Sequence, residues 1–151
     1  MQYLVDTGVL LRLFVRNDPE HTNIRTLFRE LTKRGHSLNT TAQNIAEFWN
    51  VSTRPASSCG GYGQDVASTE RRVQFIEKMG NVLSDNPDAY LQWQQLVVRH
   101  RVQGVAVHDA KLVAVMLAVS ISSIITLNGR AFARYTNVTA LTPSQAIASL
   151  T

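Results

Sequence analysis

The chain predicts an α/β fold built on a parallel sheet, and two observations carry this. Short apolar runs of strand length, Tyr3-Leu4-Val5 and Ser123-Ile124-Ile125-Thr126, stand far apart in the sequence. Continuous runs of this kind suit strands buried on both faces. Segments of helical periodicity fill the spaces between the strands, which is the pattern of βαβ units. At 151 residues, 44% hydrophobic and 17% charged, the sequence fits one globular domain spanning residues 1–151.

Each element has a local reason. Tyr3-Leu4-Val5 reads as a buried central strand, and Thr7 as the cap of a helix whose apolar residues are Val9, Leu10, Leu13 and Phe14. Asn17-Asp18-Pro19 marks a break, with Pro19 expected in the first turn of the next helix. Ile24, Leu27, Phe28 and Leu31 form one stripe of that helix, which Gly35 ends. His36 to Asn39 is a short strand, and Thr41 opens a helix carrying Ile45, Phe48 and Trp49. The serine- and glycine-rich stretch from Arg54 to Gly63 reads as a loop. Two helices are expected next, over Asp65–Leu83 and Pro87–His100, divided by Asp85-Asn86-Pro87. His108-Asp109 opens another helix, Val138 starts a last strand, and Thr142-Pro143 caps a terminal helix.

Composition narrows the function. Cys59 is the single cysteine, so no internal disulfide forms and a reducing, cytoplasmic setting is expected. Asp6 interrupts the first apolar run, and the apolar stretch at Val113–Val119 is too short to span a bilayer, so no membrane segment is expected. The formal net charge of +4 favours a polyanionic partner such as RNA or DNA.

Three of the eleven acids stand in apolar surroundings: Asp6 after Tyr3-Leu4-Val5, Glu47 within Ile45-Ala46-Glu47-Phe48-Trp49, and Asp109 between Val105-Ala106-Val107 and Leu112-Val113. Such carboxylates are costly unless paired, hydrogen-bonded or bound to metal. Each alone has a plainer reading: a helix cap for Asp6 or Asp109, a side chain reaching solvent for Glu47. Together they suggest a site. Asp6 falls at the end of a buried strand, where open α/β sheets place their crevices. Asn44 shares a helix face with Glu47. An all-carboxylate set suits Mg²⁺ or Mn²⁺ rather than zinc, and His108 is a weak candidate ligand. Carboxylates holding a hard cation beside basic residues suit phosphodiester hydrolysis. Gly60-Gly61-Tyr62-Gly63 lacks the Lys-Ser/Thr ending of a P-loop.

The order of motifs resembles the PIN domain, in particular the VapC-type toxins of bacterial toxin–antitoxin pairs. Leu4-Val5-Asp6-Thr7-Gly8-Val9, Asn44-Ile45-Ala46-Glu47-Phe48, His108-Asp109-Ala110-Lys111-Leu112 and Ile125-Thr126-Leu127-Asn128-Gly129-Arg130-Ala131-Phe132 are similar to its four motifs, nearly end to end. The resemblance implies an α/β/α sandwich with a central, mostly parallel sheet. It also implies an Mg²⁺- or Mn²⁺-dependent endoribonuclease, with Asp6, Glu47 and Asp109 as ligands and catalytic groups. Thr7, Asn44, Thr126 and Asn128 are expected to support them, and Lys111 and Arg130 to hold substrate phosphates. A small antitoxin and a second copy of the chain are the expected partners, gripped by the region running from Val73 to Val97. The fourth motif departs from the family: relatives place an acid at the position of Asn128 or of Ala131, and this chain has neither. That departure keeps open a PIN-like RNA-binding or regulatory module with weak or no catalysis. A phosphoacceptor receiver domain fits worse, because no lysine follows the late strand Ile124-Ile125-Thr126.

Overall fold

The computed structural model describes residues 1–151. Five strands, β1 (Gln2–Val5), β2 (Ser37–Thr41), β3 (Asn81–Leu83), β4 (Ser123–Ile125) and β5 (Thr139–Leu141), form one sheet in the order β3-β2-β1-β4-β5. Every neighbouring pair is parallel. Seven α-helices connect them: α1 (Thr7–Arg12), α2 (His21–Lys33), α3 (Ala42–Thr53), α4 (Val66–Met79), α5 (Pro87–Arg99), α6 (Ala106–Ala118) and α7 (Pro143–Ala148). A 3-10 helix occupies Gly129–Phe132.

The strand period of two divides the core into two layers. Tyr3 and Val5 of β1, with Leu38 and Ile125, pack against α1, α2, α3, α4 and α7. Leu4 and Ile124, from the same two strands, face the opposite way onto α5, α6, Phe132 and Tyr135. This is the α/β/α sandwich, with β1 at its centre as its apolar run requires. No helix is long and apolar enough to cross a membrane.

The structure corrects several local expectations. The helix expected over Asp65–Leu83 stops at Met79, and Asn81–Leu83 is a strand. Gly80 makes the change possible: a Cβ there would lie 2.5 Å from the Leu38 carbonyl oxygen, so only glycine lets the chain press against β2 and begin β3. The cap of α1 is Asp6, whose carboxylate accepts from the Thr7 amide, and not Thr7. Pro19 lies in the turn before α2, which begins at His21. Helix α6 starts at Ala106, so Asp109 sits inside its first turn and does not cap it. The Arg54–Gly63 loop folds back on the end of α3, with the amides of Tyr62 and Gln64 donating to the carbonyls of Val51 and Ser52.

Candidate functional site

Parallel strands with helical crossovers leave a crevice beyond their carboxyl ends. Here β1 and β4 run in register, Val5 opposite Ile125, so the next residues, Asp6 and Thr126, emerge side by side. The Asp6 amide donates to the Ile125 carbonyl at 3.0 Å, the last rung of that ladder. The Thr126 hydroxyl, fully buried, donates to Asp6 Oδ2 at 2.7 Å. It accepts in turn from the Asn128 amide at 3.0 Å. Asn128 therefore contributes through its backbone, and its own side chain is exposed.

Glu47 is held by a second chain of bonds that begins at the end of β2. Thr41 caps α3 in a reciprocal box with Asn44. The buried Asn44 Oδ1 accepts from the Thr41 hydroxyl at 2.7 Å, and its Nδ2 donates to Thr7 Oγ1 at 2.9 Å. The Thr7 hydroxyl then donates to Glu47 Oε2 at 2.7 Å. Each side chain along this path is bonded to the next, which fixes the rotamers of all four residues.

Gln43 was not singled out from sequence. Its Nε2 donates at 3.1 Å both to Glu47 Oε1 and to the carbonyl of His108 on α6. It thus ties the helix of Glu47 to the helix of Asp109, while its own Oε1 is buried without a partner. Its position one turn before Glu47 was a usable signal, because residues four apart share a helix face.

The carboxylates act on one another. Burial pushes the Asp6 carboxyl above its ordinary range; hydrogen bonds from Thr126 and Thr7 oppose this, and the charge of Glu47 adds to it. Burial likewise raises Asp109, reinforced by the charges of Asp6 and Glu47 and opposed by His108 and Arg134. Asp6, Glu47 and Asp109 therefore lie within range of one another's charge. Their donor set is all oxygen and carries uncompensated negative charge, which fits a hard divalent cation. No three His, Cys, Asp or Glu side chains stand close enough together to hold a metal ion by themselves. That looseness is compatible with Mg²⁺, which retains several waters and uses few protein ligands.

The basic residues divide differently from expectation. Lys111 Nζ is paired with Asp85 Oδ2 at 2.8 Å, so its charge is already matched. Arg130 lies exposed on the 3-10 helix. Arg134, not foreseen, is the arginine whose charge reaches Asp109.

A family model for the PIN domain matches residues 3–138. The chain belongs to the PIN-domain family. Its structural neighbours are toxins of VapBC pairs. VapC20 of Mycobacterium tuberculosis, described as a sarcin–ricin loop cleaving toxin, is 19% identical, with a TM-score of 0.63 over 88% of this chain and 95% of that one. VapBC2 from Rickettsia felis, bound to a DNA fragment from its promoter, is 12% identical, with a TM-score of 0.68 over 94% and 98%. VapBC-1 from nontypeable Haemophilus influenzae is 18% identical, with a TM-score of 0.64 over 95% and 99%. At these identities the likeness is one of fold. No curated protein sequence matches the chain.

Proposed function

We propose that this PIN domain is a divalent-metal-dependent endoribonuclease and the toxin of a toxin–antitoxin pair. The observation that supports the reading is that Thr7 bonds both Asp6 and Glu47 beyond the end of β1, while Asp109 on α6 lies within range of both charges. Asp6, Glu47 and Asp109 would hold Mg²⁺ or Mn²⁺. When bound, such an ion polarises a phosphoryl oxygen and makes hydroxide available at neutral pH. The protein's own part is orientation: Thr126 aims Asp6, Thr7 and Asn44 aim Glu47, and Gln43 sets the spacing between α3 and α6. Arg130 and Arg134, on and just past the 3-10 helix, are the cations best placed to meet phosphates at the crevice.

The antitoxin partner belongs to the same reading, since the solved neighbours include VapBC complexes. A groove of about 500 Å³ between α2 and α4 offers Phe28, Phe75 and Met79 beside Arg25, Arg29 and Lys33. Phe75 is 52% exposed there. This chemistry suits an acidic segment with apolar anchors, the expected antitoxin. A second copy of the chain is the expected partner of Leu91 and Val98 on α5, both exposed.

The test is incubation of purified protein with mixed RNA in Mg²⁺, in Mn²⁺ and in EDTA, with Asp109→Asn as control. Metal-dependent, EDTA-sensitive cleavage absent from the variant supports the nuclease. Saturable RNA binding with no cleavage in any metal favours the alternative, a binding module, which the missing fourth acid motivates.

A further inference from the structure

Beside Asp109 on α6, a cavity of about 340 Å³ opens between α5 and α6. Tyr90 and Trp93 of α5 form one wall, Val107, His108 and Lys111 of α6 the other, and Asp85 stands beside Lys111. We propose that this cavity is a base-binding subsite that takes guanine from the RNA lying across the carboxylate crevice. The proposal rests on the nuclease reading for its substrate, but its site is separate from the carboxylates.

Position is the first argument. Asp85 follows β3 by two residues, so the cavity sits on the same carboxyl edge of the sheet as Asp6. His108 lines the cavity and precedes Asp109, and its carbonyl is tied through Gln43 to Glu47. The cavity and the carboxylates are thus joined through adjacent residues of α6 and the Gln43 tie.

Shape is the second. The Tyr90 and Trp93 rings are near-parallel, 28° apart with centroids at 6.3 Å, and Trp93 is pinned by its indole N–H donating to the Val107 carbonyl at 3.0 Å. Tyr90 remains 57% exposed, so an aromatic ring is left facing water. Aromatic platforms of this kind hold single-stranded bases by stacking.

Chemistry at the rim selects the base. Asp85 Oδ2 and Lys111 Nζ stand 2.8 Å apart, an acceptor and a donor side by side, both about half exposed. Guanine presents its N1–H and its N2 amine as adjacent donors, next to the O6 acceptor. The carboxylate meets the two donors and the ammonium meets O6, which no other base matches in that order. An apolar protein anchor would fill the aromatic slot but would cover this ion pair without matching it. Lys111 is thereby assigned to a base edge and not to a phosphate.

The test uses nucleosides, which lack the phosphate that a metal would attract. The indole N–H signal of Trp93, assigned with Trp49→Phe, is followed by NMR during titration with guanosine, inosine, adenosine, cytidine and uridine. Guanosine should shift the signal saturably and bind at least fivefold tighter than the others, with inosine next because it lacks only the amine. Asp85→Asn and Tyr90→Ala, both at exposed positions, should each weaken guanosine at least fivefold. Cleavage of short RNAs should place guanosine at one fixed offset from the cut in the unmodified protein, and Asp85→Asn should remove that preference. Equal response to all nucleosides, no response, or protection of Trp93 only by a protein partner overturns the subsite. If RNA is cleaved while guanosine does not bind, the nuclease stands and the subsite falls. If guanosine binds selectively while no RNA is cleaved, the subsite stands and the nuclease falls.

Discussion

The two sides of the crevice are built differently. On the β1–α3 side, Asp6 and Glu47 are each gripped at both carboxylate oxygens, by Thr7 and Thr126 in one case and by Thr7 and Gln43 in the other. On the α6 side, what acts on Asp109 is burial and charge alone. One side is oriented before anything binds. The other holds a carboxylate raised first by burial and then by the charges of Asp6 and Glu47, a stress that a cation or a neutral side chain relieves. Preorganised ligands and a strained one make different predictions when altered, because electrostatic stress in a site trades stability for function.

The largest effects should come from the acids themselves. Asp6→Asn and Asp109→Asn should each slow cleavage by about a thousandfold, the several kcal/mol that loss of metal-assisted stabilisation implies. Their folding should diverge. Asp109→Asn should raise the melting temperature of the metal-free protein, because it removes a charge disfavoured by burial and by the neighbouring carboxylates and breaks no hydrogen bond that fixes the side chain. Asp6→Asn should fail to raise it as far, since an amide cannot accept at both positions from Thr7 and Thr126. Equal melting shifts in the two variants would erase the difference between the two sides.

Next in size are the supports. Thr126→Val keeps the shape but removes the donor to Asp6 and the acceptor for the Asn128 amide. Groups that orient metal ligands are worth about 10–100-fold in affinity or activity. A loss of that order in Mn²⁺ affinity by calorimetry, with a stability cost of about 1–3 kcal/mol, is expected. Gln43→Leu should act on cleavage at a similar scale by freeing α3 from α6, with a smaller cost in stability because its own oxygen is already unpartnered.

Much of the preorganised side was legible in the sequence. An acid ending a wholly apolar strand, and Asn44 three residues before Glu47, both follow from periodicity, and each landed where those patterns put it. The rest was hidden for physical reasons. Strand β3 is an edge strand of three residues with two of them exposed, so it carries no burial pattern, and only the close approach at Gly80 marks it. The tie from Gln43 to α6 and the reach of Arg134 to Asp109 depend on which elements meet in space, and no local pattern reports that. The pairing of Lys111 with Asp85 joins residues from different elements and is invisible along the chain. Most apolar residues past the Gly-rich loop were expected to be core, as Val73 and Ile76 are, and it is Phe75 between them that faces outward.

A smaller effect separates the two sides by pH. Asp6 and Asp109 both titrate above the ordinary 3.8 in the folded protein. Between that value and the raised one, the folded state keeps protons that the unfolded chain has lost, so stability falls as pH rises through the window. Asp65, lowered by hydrogen bonds from Ser68, works oppositely and loses its contribution as pH falls. Subtracting Asp109→Asn from the unmodified protein cancels Asp65 and isolates the crevice. The difference in melting temperature should grow from near zero at pH 4 to about 2–4 °C at pH 7 without metal, for each kcal/mol of repulsion. Millimolar Mn²⁺ should reduce that difference at pH 7 and not at pH 4. A difference independent of pH would mean that repulsion is not what strains Asp109.

The smallest effect concerns the missing acid, and it asks whether the strained side can be completed. Three carboxylates around a divalent ion leave a net charge of about −1, and a fourth would leave about −2, so adding one should tighten binding. Two positions compete. Asn128 is exposed, and its amide is already turned toward Thr126, which belongs to the preorganised side. Ala131 is half-buried against the layer formed by α6, and it precedes the fully buried Phe132 that anchors the 3-10 helix. Ala131 lies on the 3-10 helix that leads into Arg134, the arginine that Asp109 feels. A carboxylate at 131 would be half-buried on the element beside Arg134, whereas one at 128 would be exposed. Ala131→Asp should tighten Mn²⁺ severalfold and speed cleavage at limiting metal, while Asn128→Asp should change affinity less than twofold. The cost of Ala131→Asp should appear in the metal-free protein, as a melting temperature lower by a few degrees that Mn²⁺ restores. Should Asn128→Asp alone tighten the ion, the fourth ligand belongs to the Thr126 side and the crevice closes from the opposite direction.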